Sequence, residues 1–83
     1  MNKTNLLYKV GDYLTSIFNT NFIIRIVDIK CYAGILFYDY IIIHDEHGKI
    51  IPNYKIFDLP YITIITAFKL YLNYKLIEII DNL

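Results

Sequence analysis

Two histidines and two carboxylates stand side by side at His44-Asp45-Glu46-His47, inside "IIIHDEHGKII". Imidazole nitrogens and carboxylate oxygens are ligands for zinc and the usual general acids and bases, so metal or acid–base chemistry is sought here first. The spacing argues against it. A zinc-protease pair needs histidines at i and i+4 of a helix, with a glutamate between them. Here they are three apart, between an isoleucine run and a glycine, and in a strand they would point to opposite faces. Asp45-Glu46-His47-Gly48 fits a type I turn, with Gly48 left-handed and a bulge closing the hairpin. No metal is expected.

The other reactive groups are as poorly placed for chemistry. Cys31 is the only cysteine, so no intramolecular disulfide can form, which fits a reducing cytosol. A nucleophilic thiolate needs a base beside it. The candidates are His44 and His47, at the far end of the hairpin, so a buried or half-buried thiol is expected. Asp28 and Asp39 sit in isoleucine-rich strands, where a carboxylate faces solvent or pairs with a cation such as Arg25 or Lys55. Tyr32, Phe37, Tyr38, Tyr40, Tyr54 and Phe57 can fill a core, face a protein, or stack on a base or cation. There is no glycine-rich phosphate loop, Ser-His-Asp arrangement or paired-cysteine motif. The expectation is a non-enzyme with no catalytic residue and no cofactor.

The elements that carry these residues are short. "FIIRIVDIK" (22–30) reads as a strand, with Phe22, Ile24, Ile26 and Asp28 on one face and Ile23, Arg25, Val27 and Ile29 on the other. "GILFYDYIII" (34–43) is a second strand, β-branched and aromatic. "KIIPNYKIF" (49–57) is a third, at an edge or bent because Pro52 has no ladder N–H. Residues 4–18 have two readings. Leu6, Leu7, Val10, Leu14, Ile17 and Phe18 have helical spacing, but Gly11-Asp12 interrupts them. The run Val10-Gly11-Asp12-Tyr13-Leu14, the turn Asn19-Thr20-Asn21 and then "IIRIVDI" resemble the opening of SH3-like small barrels, in which a Gly-Asp turn feeds a strand and a second strand returns beside it. Over about the first 50 residues this resemblance implies a fold and leaves the function open.

After Pro60 no glycine or proline interrupts the chain. Tyr61, Ile65, Phe68, Leu72, Leu76, Ile79 and Leu83 recur at spacings of four and three, which predicts a helix over about 61–81. Ile64, Leu70, Tyr71, Tyr74, Ile77 and Ile80 lie outside that seam. With Tyr38 and Tyr40 of the sheet they make the candidate interface. The fold class expected is α+β: a small antiparallel sheet or SH3-like barrel of three to five strands (about 8–58) followed by a long C-terminal helix, in one domain spanning 1–83. An additional N-terminal helix packed on the sheet is the alternative.

Composition sets the expected partners. Of the 83 residues 57% are apolar, and the formal net charge is zero, so little repulsion opposes association. The eight basic residues are scattered singly, which argues against nucleic acid. No apolar run approaches a membrane span, and "MNKTNLLYKVGDYL" lacks the h-region of a signal peptide. The expectation is a cytoplasmic homodimer that binds a host protein. Abundant Ile, Lys, Asn, Tyr and Phe reflect AT-rich codons, so the setting expected is a phage or mobile element, and the role that of an anti-CRISPR or anti-defence inhibitor acting by occlusion. The alternative is sequestration of a small nucleotide-like ligand in a Tyr-lined pocket at a dimer interface.

Overall fold

The computed structural model describes residues 6–52 and 54–72. Among them are five strands and one short helix: β1 (Tyr13–Ser16), β2 (Ile23–Tyr32), β3 (Ile35–His44), β4 (Phe57–Pro60), α1 (Tyr61–Ala67) and β5 (Phe68–Leu70). They form one antiparallel sheet in the order β4-β3-β2-β1-β5. The chain enters through a turn at Lys9–Asp12. The Asp12 N–H donates to the Lys9 carbonyl at 3.1 Å, and the Lys9 N–H to the Asp12 carboxylate at 3.0 Å. Gly11 takes φ 96° there. Residues 13–16 are therefore a strand, and the helix alternative for 4–18 fails over its described part: a glycine at positive φ ends helical geometry.

One face of the sheet carries the main core. Leu14, Ile24, Ile26 and Tyr38 are buried on it together with Tyr8, Ile64 and Phe68. The opposite face carries a smaller cluster of Tyr13, Ile23 and Ile43, with Ile41 and Tyr71 packed against it. Alternation along β2 and β3 assigns residues to these faces, as period-two patterning predicts, with one correction. The ladder shifts by a residue between Ile26 and Asp28. This bulge at Val27 moves Asp28 off the face of Ile24 and Ile26 and returns Ile29 to it. Without the shift Asp28 would stand opposite Tyr38 in the core, where an unpaired carboxylate is very costly.

Two further expectations are corrected. The described residues from 49 to 56 do not form a strand. Ile50 makes an isolated bridge to His44, and the Ile51 N–H reaches the Ile43 carbonyl at 3.0 Å. Pro52 follows and has no N–H to continue the ladder. The strand on that side is β4, and it starts only at Phe57. The predicted long helix stops at Ala67 after seven residues. Five of those seven are Ile or Thr, whose branched Cβ restricts them in a helix. Phe68 leaves at φ −131° and ψ 157°, and β5 pairs with β1, Leu70 opposite Leu14 and Phe68 opposite Ser16. Pairing covers the backbone edge that β1 would otherwise expose. The remainder of the expected helix, with Tyr74, Ile77 and Ile80, lies outside the described residues.

Candidate functional site

The histidine–carboxylate stretch is a turn. The Gly48 N–H donates to the Asp45 carbonyl at 2.9 Å, and the Asp45 N–H to the Lys49 carbonyl at 2.9 Å. Gly48 takes φ 81°. One Asp45 carboxylate oxygen accepts the N–H groups of His47 at 2.8 Å and Lys49 at 2.9 Å. The Lys49 N–H, followed by that of His47, holds the Asp45 carboxyl below its usual range. The Asn19 amide ties the tip to the β1–β2 loop by donating to the Glu46 carbonyl at 2.9 Å. Asp45 thus folds the loop. Among the described residues no group of three or more His, Cys, Asp or Glu is arranged to hold a metal ion.

The tyrosines divide by strand parity. Tyr38 is fully buried, and Tyr8 nearly so. Their rings pack at 6.4 Å, and Tyr38 meets Tyr61 at 5.4 Å. Their hydroxyls bond to backbone: Tyr8 donates to the Phe68 carbonyl at 2.9 Å, Tyr38 donates to the Tyr8 carbonyl, and Tyr61 accepts the Leu7 N–H at 3.0 Å. Burial pushes the Tyr8 and Tyr38 phenols above their ordinary range. It does the same for Tyr40, with the Asp58 charge adding to it. Tyr40 stacks on Phe57 at 5.8 Å.

The described candidate interface residues are therefore dispersed. Tyr38 and Ile64 have no exposed surface: Tyr38 lies on the core side of β3, and Ile64 is the buried residue of α1. Tyr40 and Tyr71 are half-buried, and Leu70 is exposed at the β5 edge. Cys31, expected to be at least half-buried, is exposed near the end of β2.

The opposite face of the sheet holds an arrangement that the sequence conceals. Asp28 of β2 stands opposite Asp39 of β3, and Asp39 opposite Asp58 of β4. Three carboxylates thus lie in one row across three strands. Like charges directly opposite each other are destabilising. Lys30 answers the middle one, its Nζ 3.3 Å from Asp39 Oδ2. Asp39 Oδ1 is buried with no hydrogen-bond partner among the described residues. Arg25 instead lies over the Tyr13 ring at 5.5 Å, and Lys55 over Phe57 at 5.6 Å. Beside the row is a hollow of about 320 Å³ lined by Lys30, Cys31, Tyr32, Phe37 and Asp58. It ends at the β2–β3 turn, where Ala33 (φ 52°) and Gly34 (φ 78°) both have positive φ, as a two-residue type I′ hairpin requires.

Comparison with protein-family models, with curated proteins and with solved structures finds no match to this chain, so no function comes to it by likeness. Among the described residues no helix is long and apolar enough to cross a membrane.

Proposed function

We propose that the chain is a small non-catalytic protein-binding module that works as a homodimer and acts by occluding its partner. One observation carries this reading. The connection from β3 to β4 displays Ile50, Tyr54 and Ile56 at 60–70% exposure, on backbone that adds no strand to the sheet. Large apolar side chains grouped on one surface segment mark contact sites, and tyrosine combines rigid area with a polar tip. The strand connections support the SH3-like reading of the sheet that carries them: the Gly11-Asp12 turn feeds β1, β2 returns beside it, and β5 comes back to β1 after α1. With composition pointing to an AT-rich genome, the setting proposed is a cytoplasmic inhibitor of a host defence protein carried by a phage or mobile element.

The test is capture from a lysate of the native host by the immobilised chain, beside a Tyr54→Asp, Ile56→Asp variant. The reading predicts a saturable partner that the folded variant fails to retain. Equal capture by both would contradict it. The alternative, a nucleotide-like ligand, draws on the aromatic hollow at Tyr32 and Phe37. It predicts copurifying absorbance near 260 nm that Phe37→Ala abolishes.

A further inference from the structure

β2 is ten residues long, yet among the described residues only its first part has neighbours on both sides. β1 pairs with Ile23, Ile24 and Arg25. The turn before β1 extends this by one residue: the Ile26 N–H donates to the Asp12 carbonyl at 2.9 Å, and the Ile26 carbonyl accepts the Gly11 N–H at 2.8 Å. Beyond the bulge, residues 28–32 pair with β3 alone among the described residues. In a ladder the N–H and C=O of one residue point to the same edge, and successive residues alternate. Ile26, on the core face, directs both toward the β1 side. Ile29, back on the core face, does the same, and there it meets no strand among the described residues. Its N–H is taken by the neighbouring Asp28 carboxylate at 2.8 Å.

We propose that this edge pairs antiparallel with the same edge of a second copy, with the two-fold axis at Ile29. The inference rests on the homodimer reading and gives it a surface. The argument is charge complementarity. About Ile29, Asp28 falls opposite the second copy's Lys30, and Lys30 opposite the second copy's Asp28. Each Lys30, 3.3 Å from its own Asp39 in the single chain, is then shared between that Asp39 and the second copy's Asp28, so each carboxylate row, Asp58-Asp39-Asp28, ends on an ammonium, which Asp28 lacks among the described residues of the single chain. The Asp28 carboxylate exchanges the Ile29 N–H for that cation, and the freed N–H bonds to the second copy's Ile29 carbonyl. Pairing runs from 27 to 31, because the Gly11-Asp12 turn already occupies the edge at Ile26. Tyr32, 73% exposed, then lies against the second copy's turn, where Val10 is 55% exposed. The same patch serves both copies, so the assembly closes at two.

The experiment is sedimentation velocity over a concentration series on the wild type, Asp28→Lys, Lys30→Asp and the double exchange. A dimer is expected for the wild type. Each single reversal sets like charges opposite each other twice across the axis and should weaken the dimer about tenfold. The double exchange restores complementarity and should return the dissociation constant to near the wild-type value. Asp28→Lys also places an ammonium opposite Asp39, so its melting temperature at dilution should not fall, which separates lost pairing from lost folding. A wild type that stays monomeric overturns the proposal. If Asp28→Ala then associates, Asp28 guards the edge against pairing. A dimer indifferent to both reversals, or a double exchange that fails to rescue, removes this edge as the contact while leaving the homodimer reading in place.

Discussion

At its C-terminal end β3 runs into the Asp45–Gly48 turn, and at its N-terminal end it starts from the turn at Ala33-Gly34. The first turn holds nearly all the residues that look like chemistry, and the fold engages the Asp45 carboxylate and the backbone around it. Asp45 holds two backbone N–H groups, Glu46 accepts from Asn19, and Gly48 closes the bulge. The second turn is ordinary in sequence. Around it lie exposed Tyr32 and Ile35 and, among the described residues, a strand edge with one partner and a carboxylate row with a buried, unbonded oxygen. Reactive residue types therefore do not locate function in this molecule. Under the proposed reading, groups without a partner among the described residues are better guides, because a buried polar group without a partner costs free energy that binding can recover.

The largest expected effect concerns the core that both ends share. Phe68→Ala should destabilise by about 3–5 kcal/mol, the usual cost of emptying a buried aromatic site. Leu72→Ala should cost under about 0.5 kcal/mol, since Leu72 is exposed. Chemical denaturation of the two variants checks this, and equal losses would restore a continuous helical seam through both positions.

The turns themselves come next. Gly48→Val should cost about 1–3 kcal/mol, because a β-branched residue is strained at positive φ. At the other end Ala33 already occupies that region, so Ala33→Gly should stabilise by about 1 kcal/mol. Opposite signs in the same denaturation assay are the expected result; a neutral Gly48→Val would mean that the turn does not hold its bulge.

Alkaline pH probes the buried tyrosines. The Tyr8 and Tyr38 phenols are raised by burial above the ordinary value of 10.0. The native state then holds these protons more tightly than the unfolded chain. The stability they contribute is complete below pH 10 and is lost as pH climbs through the raised values. Tyr38→Phe should flatten that fall in a series of denaturation midpoints. A slope unchanged by the substitution would place the titrating groups elsewhere.

The smallest effect is expected at the most conspicuous residues. Exchanging His44 and His47 together for Asn should shift the melting temperature by no more than a few degrees, an upper bound for surface changes of about 0.5 kcal/mol. It should also leave metal content, read by elemental analysis, at background. Stoichiometric zinc in the wild type that disappears in the variant would reverse the assignment of the turn.

The parts legible in the sequence were those fixed by local rules. Alternation marked β2 and β3, and Asp45-Glu46-His47-Gly48 spelled its own turn. The helix start after Pro60 was also legible. Its end was not, because Tyr61, Ile65 and Phe68 satisfy helical spacing while Phe68 takes its place in the core from an extended backbone. Helical spacing in a β-branched segment yielded there to weak helix propensity and the unpaired edge of β1. The carboxylate row was hidden for another reason. Asp28, Asp39 and Asp58 come together only through register, and the bulge at Val27 sets that register. A one-residue shift sends every later side chain to the other face, and no residue type announces it.

Amide hydrogen exchange, read residue by residue at low and high protein concentration, tests the contrast between the two ends of β3 most directly. The Ile29 amide should exchange more slowly as concentration rises, because pairing with a second copy replaces a local bond to Asp28 with a ladder bond. The His47 and Lys49 amides, held within the chain by Asp45, should exchange at the same rate throughout. Protection that grows at the Asp45–Gly48 turn while Ile29 stays unchanged would contradict the account.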